Sequence, residues 1–117
     1  MKRLALAVLF VAGTACAHDS SWTQEQFDWV QRRYARNGMH CCGPHDFHMV
    51  TGDYLKWRIS GAAYEVEING RWYPVKPGQV MASHAGDPSP FGDGAILFFR
   101  VINGEPVIFC FKPESLY

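Results

Sequence analysis

The sequence has 117 residues, of which 48% are hydrophobic, and its 11 basic side chains balance its 11 acidic ones. A chain of this length supports one modest hydrophobic core, so we expect a single domain. A balanced charge argues against a nucleic-acid partner, because phosphate backbones are bound by clustered Lys and Arg side chains.

The first 17 residues have the three parts of a secretory signal peptide. A basic pair opens the chain, an apolar run follows, and Ala15-Cys16-Ala17 is the pattern of small residues that a signal peptidase reads. We therefore predict residues 1–17 as a signal peptide and 18–117 as one mature domain, which is periplasmic or secreted. Removal of two basic residues leaves 9 basic (11 − 2) against 11 acidic side chains.

Two other interpretations of these first residues have less support. A transmembrane anchor needs about 20 apolar residues, and the run is shorter than that before Asp19 interrupts it, so no anchor is expected in the mature chain. A lipoprotein acylated at Cys16 is less favoured, because Gly13 stands where such signals usually carry Leu.

Residues 20–38 have the spacing of an amphipathic helix. Apolar side chains recur every three or four residues, at Phe27, Val30 and Tyr34. Thr23 with Gln26 fits a capping box at the start, and Asn37-Gly38 is a favourable left-handed stop. We expect the apolar stripe of this helix to pack on a sheet.

The segment 40–48 concentrates three histidines, two cysteines and an aspartate in nine residues. An exported chain meets an oxidising compartment, which favours a disulfide, and neighbouring cysteines rarely bond each other. We therefore expect Cys110 to be bridged to Cys41 or Cys42. The closed loop of nearly seventy residues would be worth roughly 4 kcal/mol in the chain-entropy model. One cysteine of the mature chain would then be left over.

Metal binding is the alternative function for this segment. The candidate ligands are His40, Cys42, His45 and His48. Imidazole and thiolate groups at this spacing suit Zn²⁺ or Cu²⁺. Two further hypotheses have less support: a histidine brace formed by an amino-terminal His18 with His84, and a thiol enzyme using Cys42 and His45, for which no orienting third group is apparent.

Two β-hairpins are predicted downstream. The first spans 63–75 with Asn69-Gly70 as its type I′ turn, and a two-residue loop places Val66 opposite Tyr73. Pro74 has no amide hydrogen for a ladder, which indicates that the return strand lies at a sheet edge.

The second hairpin spans 95–111 around Asn103-Gly104. In the same two-residue register, Cys110 lies opposite Leu97 and Phe111 points to the other face. Both faces are therefore apolar, which indicates a central position in the sheet.

Two segments between these elements have weaker patterns. The alternation of apolar residues at 55–59 indicates one more strand. The stretch 83–94 is rich in Gly, Pro, Asp and Ser, and a connection of this length is more often functional or mobile than neutral.

Three stretches together resemble a family of small uncharacterised exported proteins of proteobacteria. They are Cys-Cys-Gly-Pro-His-Asp at 41–46, Asn-Gly-Arg-Trp at 69–72 and Phe-Cys-Phe-Lys-Pro at 109–113. The family pattern is Cys-Cys-x-x-x-Asp-Cys, and Phe47 stands here in place of the last cysteine. If the family cysteines form two bridges, the resemblance implies that this chain keeps one and lacks a partner for the other. It implies no established activity.

The sequence thus predicts an α+β domain, in which an N-terminal amphipathic helix packs on a small antiparallel sheet, a meander of hairpins, stapled by one disulfide. We expect a non-enzymatic binding or structural module without a cofactor, and its partner is not indicated. The alternative is a periplasmic metal-binding protein that uses Zn or Cu.

Overall fold

The computed structural model describes residues 21–42 and 47–114, and within these ranges the chain is mostly β. The elements in chain order are α1 (Gln24–Gln31), β1 (His48–Thr51), β2 (Trp57–Ser60), β3 (Ala63–Ile68), β4 (Arg71–Val75), β5 (Ile96–Ile102) and β6 (Glu105–Lys112). Short 3₁₀ turns at Gly52–Tyr54 and Pro77–Gln79 connect them. The six strands form two antiparallel sheets of three strands, with the orders β1-β5-β6 and β2-β3-β4. The predicted signal peptide lies outside the described residues.

The predicted α+β arrangement of a helix on a single meander sheet is wrong. The β5–β6 hairpin is apolar on both faces because two different layers cover it. One face packs on α1 and the cysteine segment, through Trp29, Val30, Cys41, Ile96, Phe98 and Cys110. The other face packs on the second sheet, through Val66, Ile68, Val75, Leu97, Phe99, Ile108 and Phe111. The sequence pattern revealed two apolar faces but not a second sheet.

The start of α1 confirms the predicted capping box. The Gln26 amide donates a hydrogen bond to Thr23 Oγ1 at 3.1 Å, and the Thr23 amide donates to Gln26 Oε1 at 2.9 Å. Two backbone donors that the first helical turn leaves without an internal acceptor are thereby satisfied.

The predicted continuation of this helix to Asn37-Gly38 is wrong, because α1 ends after eight residues. The Ala35 amide donates to the Met39 carbonyl at 2.8 Å, and the Arg36 amide donates to the Val80 carbonyl at 2.9 Å. These strand-like pairings satisfy backbone groups that a longer helix would have bonded internally. Tertiary pairing overrides the local helical pattern here.

The first predicted hairpin is confirmed. Val66 lies opposite Tyr73, and Asn69 (φ 53°) and Gly70 (φ 83°) both adopt the left-handed backbone that a type I′ turn requires. The strand that contains Pro74 lies at the edge of the second sheet, also as predicted. The weaker strand prediction at 55–59 corresponds to β2, which pairs with β3.

An irregularity in β6 changes the predicted faces of the second hairpin. Phe98 pairs with Cys110, whereas an unbroken register would place Leu97 there. Phe109 is the extra residue of this β-bulge, and Phe111 moves into register with Leu97. The predicted pairing of Cys110 is therefore wrong, and the bulge turns this side chain toward the layer that contains α1.

Candidate functional site

A disulfide joins Cys41 to Cys110, with an S–S distance of 2.06 Å and a Cα–Cα distance of 5.1 Å. The bond resolves the two predicted pairings in favour of Cys41 and confirms the long-range link. Its sequence separation of 69 residues ties the segment that follows α1 to the central hairpin. Both cysteines are fully buried, so the bond lies inside the core rather than at a reactive surface.

Cys42 is also disulfide-bonded, and no cysteine among the described residues is a free thiol. The expectation that one cysteine of the mature chain is left over stays a prediction. In this bonded state the Cys42 sulfur offers no thiolate to a metal ion or to a nucleophilic mechanism.

The ring of His40 is built into the turn around it. Its Nε2 lies 2.8 Å from the Gln31 carbonyl oxygen, and its Nδ1 accepts a hydrogen bond from the Cys42 amide at 3.3 Å. The Tyr34 ring meets it edge-on, with 4.8 Å between the ring centroids. Both ring nitrogens thus bind backbone groups, which is the arrangement of a structural histidine.

The remaining predicted ligands do not assemble with His40. His48 lies on β1, exposed, with its ring 5.2 Å from that of Phe99. His45 and His18 lie outside the described residues. In residues 21–42 and 47–114, no three His, Cys, Asp or Glu side chains are grouped so that they could hold a metal ion.

Asp87 fastens the long 83–94 loop to α1, a role that the sequence did not reveal. Its carboxylate accepts hydrogen bonds from Arg32 at 3.0 and 3.1 Å and forms an ion pair with Arg33. Its backbone carbonyl accepts a hydrogen bond from Trp29 Nε1 at 2.9 Å and lies 3.1 Å from His84 Nδ1. The loop that was expected to be functional or mobile is therefore anchored at its first turn.

Two groups at this anchor have shifted pKa values. The hydrogen bond from Arg32 lowers the pKa of Asp87, and the charge of Arg33 adds to this effect. Burial lowers the pKa of His84, and the nearby charges of Arg33 and Lys112 disfavour its protonation further. Asp87 is thereby held in the ionised form that binds Arg32 and Arg33, and the neutral form of His84 is favoured.

The most distinctive exposed surface is the outer face of the second sheet. We use this name for Lys56, Arg58, Glu65, Glu67, Trp72 and Pro74, which alternate with the inward side chains of β2, β3 and β4. The Arg58 guanidinium lies over the Trp72 ring, 4.0 Å from its centroid, and its Nε donates to Glu65 Oε1 at 2.7 Å. Trp72 remains 37% exposed.

This surface places a basic strand beside an acidic one. Lys56, the residue just before β2, has its Nζ 4.0 Å from Glu67 Oε1 of β3, and its side chain is 74% exposed. The sequence predicts the register of the hairpin formed by β3 and β4 but does not single out Trp72. The signal was present, because the same alternation in β4 directs Trp72 to the side of the sheet that carries Glu65 and Glu67.

In residues 21–42 and 47–114, the structure contains no helix of the length and apolarity that a membrane crossing requires. No family model matches this chain, and neither a curated protein nor a solved structure matches it.

Proposed function

We propose that this chain is an exported, non-enzymatic binding module that holds a protein partner on the outer face of its second sheet. The observation that carries the proposal is the exposed stack of Trp72, Arg58 and Glu65. Trp and Arg are the side chains most enriched among residues that dominate binding energies. Here Glu65 orients the arginine before any partner arrives, which reduces the ordering cost of binding.

The position of Trp72 favours binding over a purely structural role. A tryptophan that serves the core is turned inward, as Trp29 is at 1% exposed, whereas Trp72 belongs to neither hydrophobic cluster. Cross-strand contacts of such side chains do stabilise a sheet, but a smaller aromatic or aliphatic residue serves that purpose as well.

The geometry favours a protein rather than a sugar as the partner. Arg58 covers one face of the Trp72 ring, so this face is closed to stacking by a pyranose. The Arg58 Nη groups bind no described residue, which leaves them free for a carboxylate in the planar, two-pronged geometry of a guanidinium.

The non-enzymatic part of the proposal is supported by the surroundings of the histidines that the sequence offered as metal ligands. Both nitrogens of His40 bind backbone groups. His84 is a buried residue of the anchored loop. None of these contacts favours the Zn or Cu alternative over the binding module.

The export part of the proposal depends on the sequence of residues 1–17. Cleavage after Ala17 would leave Cys41, Cys42 and Cys110 as the cysteines of the mature chain, so alkylation reports whether Cys42 is a free thiol there. Intact mass of the exported protein, measured with and without alkylation, reads both together. We expect a mature chain that starts at His18. Retention of the whole start, or a lipid on Cys16, would contradict the proposal.

Photo-crosslinking at the surface tests the binding proposal. A benzoylphenylalanine at Pro74 lies on the outer face, and the same group at the exposed Val107 of the β5–β6 hairpin serves as a matched control. In intact cells that export the protein, we expect one adduct of defined mass from position 74, which Arg58→Glu removes. Equal adducts from both positions, or none at position 74, would contradict the proposal.

A further inference from the structure

We infer that the free edge of β2 binds an extended peptide in which acidic and apolar residues alternate. The inference rests on the proposed function and deepens it by naming the class of partner. A strand that is added to a sheet edge gains affinity from backbone hydrogen bonds and specificity from alternate side chains.

The sheet edges of the described chain are not equally open. Pro74 interrupts the donors along β4, and residues 79–81 cover part of β6, where the Met81 amide donates to the Phe111 carbonyl at 2.8 Å. The last strand at the other side of the second sheet, β2, has no such cover among the described residues.

The register determines which backbone groups β2 offers at this edge. The Glu67 amide donates to the Lys56 carbonyl at 3.0 Å, so Lys56 turns its backbone groups toward β3. Hydrogen-bonded and non-hydrogen-bonded residues alternate along an antiparallel pair. Arg58 therefore faces β3 in the same way, while Trp57 and Ile59 direct their N–H and C=O groups to the open edge.

Side chains beside this edge differ between the two faces of the sheet. Lys56 and Arg58 lie on the outer face, and both are exposed. Ile59 lies on the inner face next to the half-buried Trp57, yet it is 65% exposed, which is unusual for an isoleucine. A strand placed at this edge would meet cations on one face and an uncovered apolar side chain on the other.

The strand on the other side of β2 already has this complementary pattern. In β3, Glu65 and Glu67 lie beside Arg58 and Lys56 at 2.7 and 4.0 Å, while Tyr64 and Val66 pair with the inward residues of β2. A ligand strand of the same alternation would repeat these contacts at the free edge. An alternation of lysines with apolar residues would instead place like charges side by side.

A labelled synthetic peptide tests this inference. The probe is the β3 sequence Ala-Tyr-Glu-Val-Glu-Ile with blocked termini, and its binding to the oxidised full chain is measured by fluorescence anisotropy. We expect saturable binding of this probe. The same peptide with Lys in place of both Glu residues should bind at least about tenfold more weakly. Substitution of Lys56→Glu together with Arg58→Glu should weaken binding of the acidic probe and favour the lysine peptide.

Backbone methylation separates strand pairing from simple charge attraction. Two further peptides have N-methyl groups on one or the other set of alternate amides. We expect one of them to bind like the probe and the other about tenfold more weakly, because only one set of amides faces β2. Equal binding of both, or no binding of the acidic probe, would overturn the inference. If the acidic probe does not bind while the photo-crosslinked adduct at position 74 persists, the inference about the β2 edge is overturned and the proposed binding on the outer face is not.

Discussion

Trp29 of α1 donates a hydrogen bond from its indole Nε1 to the backbone carbonyl of Asp87 at 2.9 Å. The same residue of the loop holds Arg32 and Arg33 through its carboxylate. The helix and the loop are thus joined at one position, and that position contains a group that titrates.

This junction should make the protein sensitive to acid. His84 and Asp87 both have folded-state pKa values below their ordinary values of 6.5 and 3.8. The unfolded chain therefore takes up protons first as the pH falls, and stability decreases with it, first below about 6.5 and again below about 3.8. The urea concentration at the unfolding midpoint should therefore decrease in two steps as the pH is lowered, one below about 6.5 and one below about 3.8.

Asp87→Asn is the variant that isolates the carboxylate in this pH profile. It should lower the urea midpoint at neutral pH and flatten the more acidic of the two declines. Asp53→Asn, in the exposed 3₁₀ turn before β2, is the matched control and should leave the profile unchanged. A midpoint that does not vary with pH in the wild type would show that the junction does not contribute to stability.

The disulfide should be a major part of the stability of this small domain. The double substitution Cys41→Ser and Cys110→Ser should lower the free energy of unfolding by roughly 4 kcal/mol, because the loop that it opens is long. Denaturant titration gives this value. Peptide mapping without reduction should recover Cys110 linked to Cys41, and an alkylated Cys110 in that map would refute the link.

The bulge in β6 can be tested by the cost of truncating side chains. Phe111→Ala should destabilise by about 4 kcal/mol, since the side chain is fully buried between the sheets. Val107→Ala, on the exposed part of the same strand, should cost less than about 0.5 kcal/mol. Similar losses at both positions would show that the assignment of faces along β6 is incorrect.

The sequence predicted correctly those features that depend only on residues close together in the chain. The Thr23–Gln26 capping box and the Asn69-Gly70 turn each involve a few adjacent residues whose conformation is intrinsically favoured, and both are confirmed. The end of α1 depends on a pairing with Val80, far along the chain, and was missed.

The division into two sheets was not predictable from the same signals. Alternation and apolar runs show that the faces of β5 and β6 are buried, but they do not show what covers each face. The bulge at Phe109 leaves no clear mark in a strand that is apolar throughout, and it is this residue that moves Cys110 to the other face. Within the candidate surface, the register of the hairpin formed by β3 and β4 was predicted, but the contact of Arg58 with Trp72 was not.

Metal addition should leave the fold unaffected. The His40 nitrogens bind backbone groups, and residues 21–42 and 47–114 contain no group of three His, Cys, Asp or Glu side chains that could hold a metal ion. We therefore expect Zn²⁺ and Cu²⁺ to leave the melting temperature unchanged at neutral pH. A ligand that binds the folded state raises the melting temperature with the logarithm of its concentration. Such a rise, abolished by His45→Ala with His48→Ala, would establish the metal site instead.

A charge swap within the stack separates its structural role from its role in binding. The double substitution Arg58→Glu with Glu65→Arg keeps an ion pair between β2 and β3, with the two charges exchanged. It removes the guanidinium of residue 58 from the face of the Trp72 ring that Arg58 covers in the wild type. Thermal unfolding of the swapped protein, together with the adduct yield from the photo-crosslinker at position 74, is the most direct measurement. If the stack binds a partner, the swap should bring the melting temperature close to that of the wild type while the adduct stays absent. An adduct that returns together with the stability would contradict binding through Arg58 and Trp72.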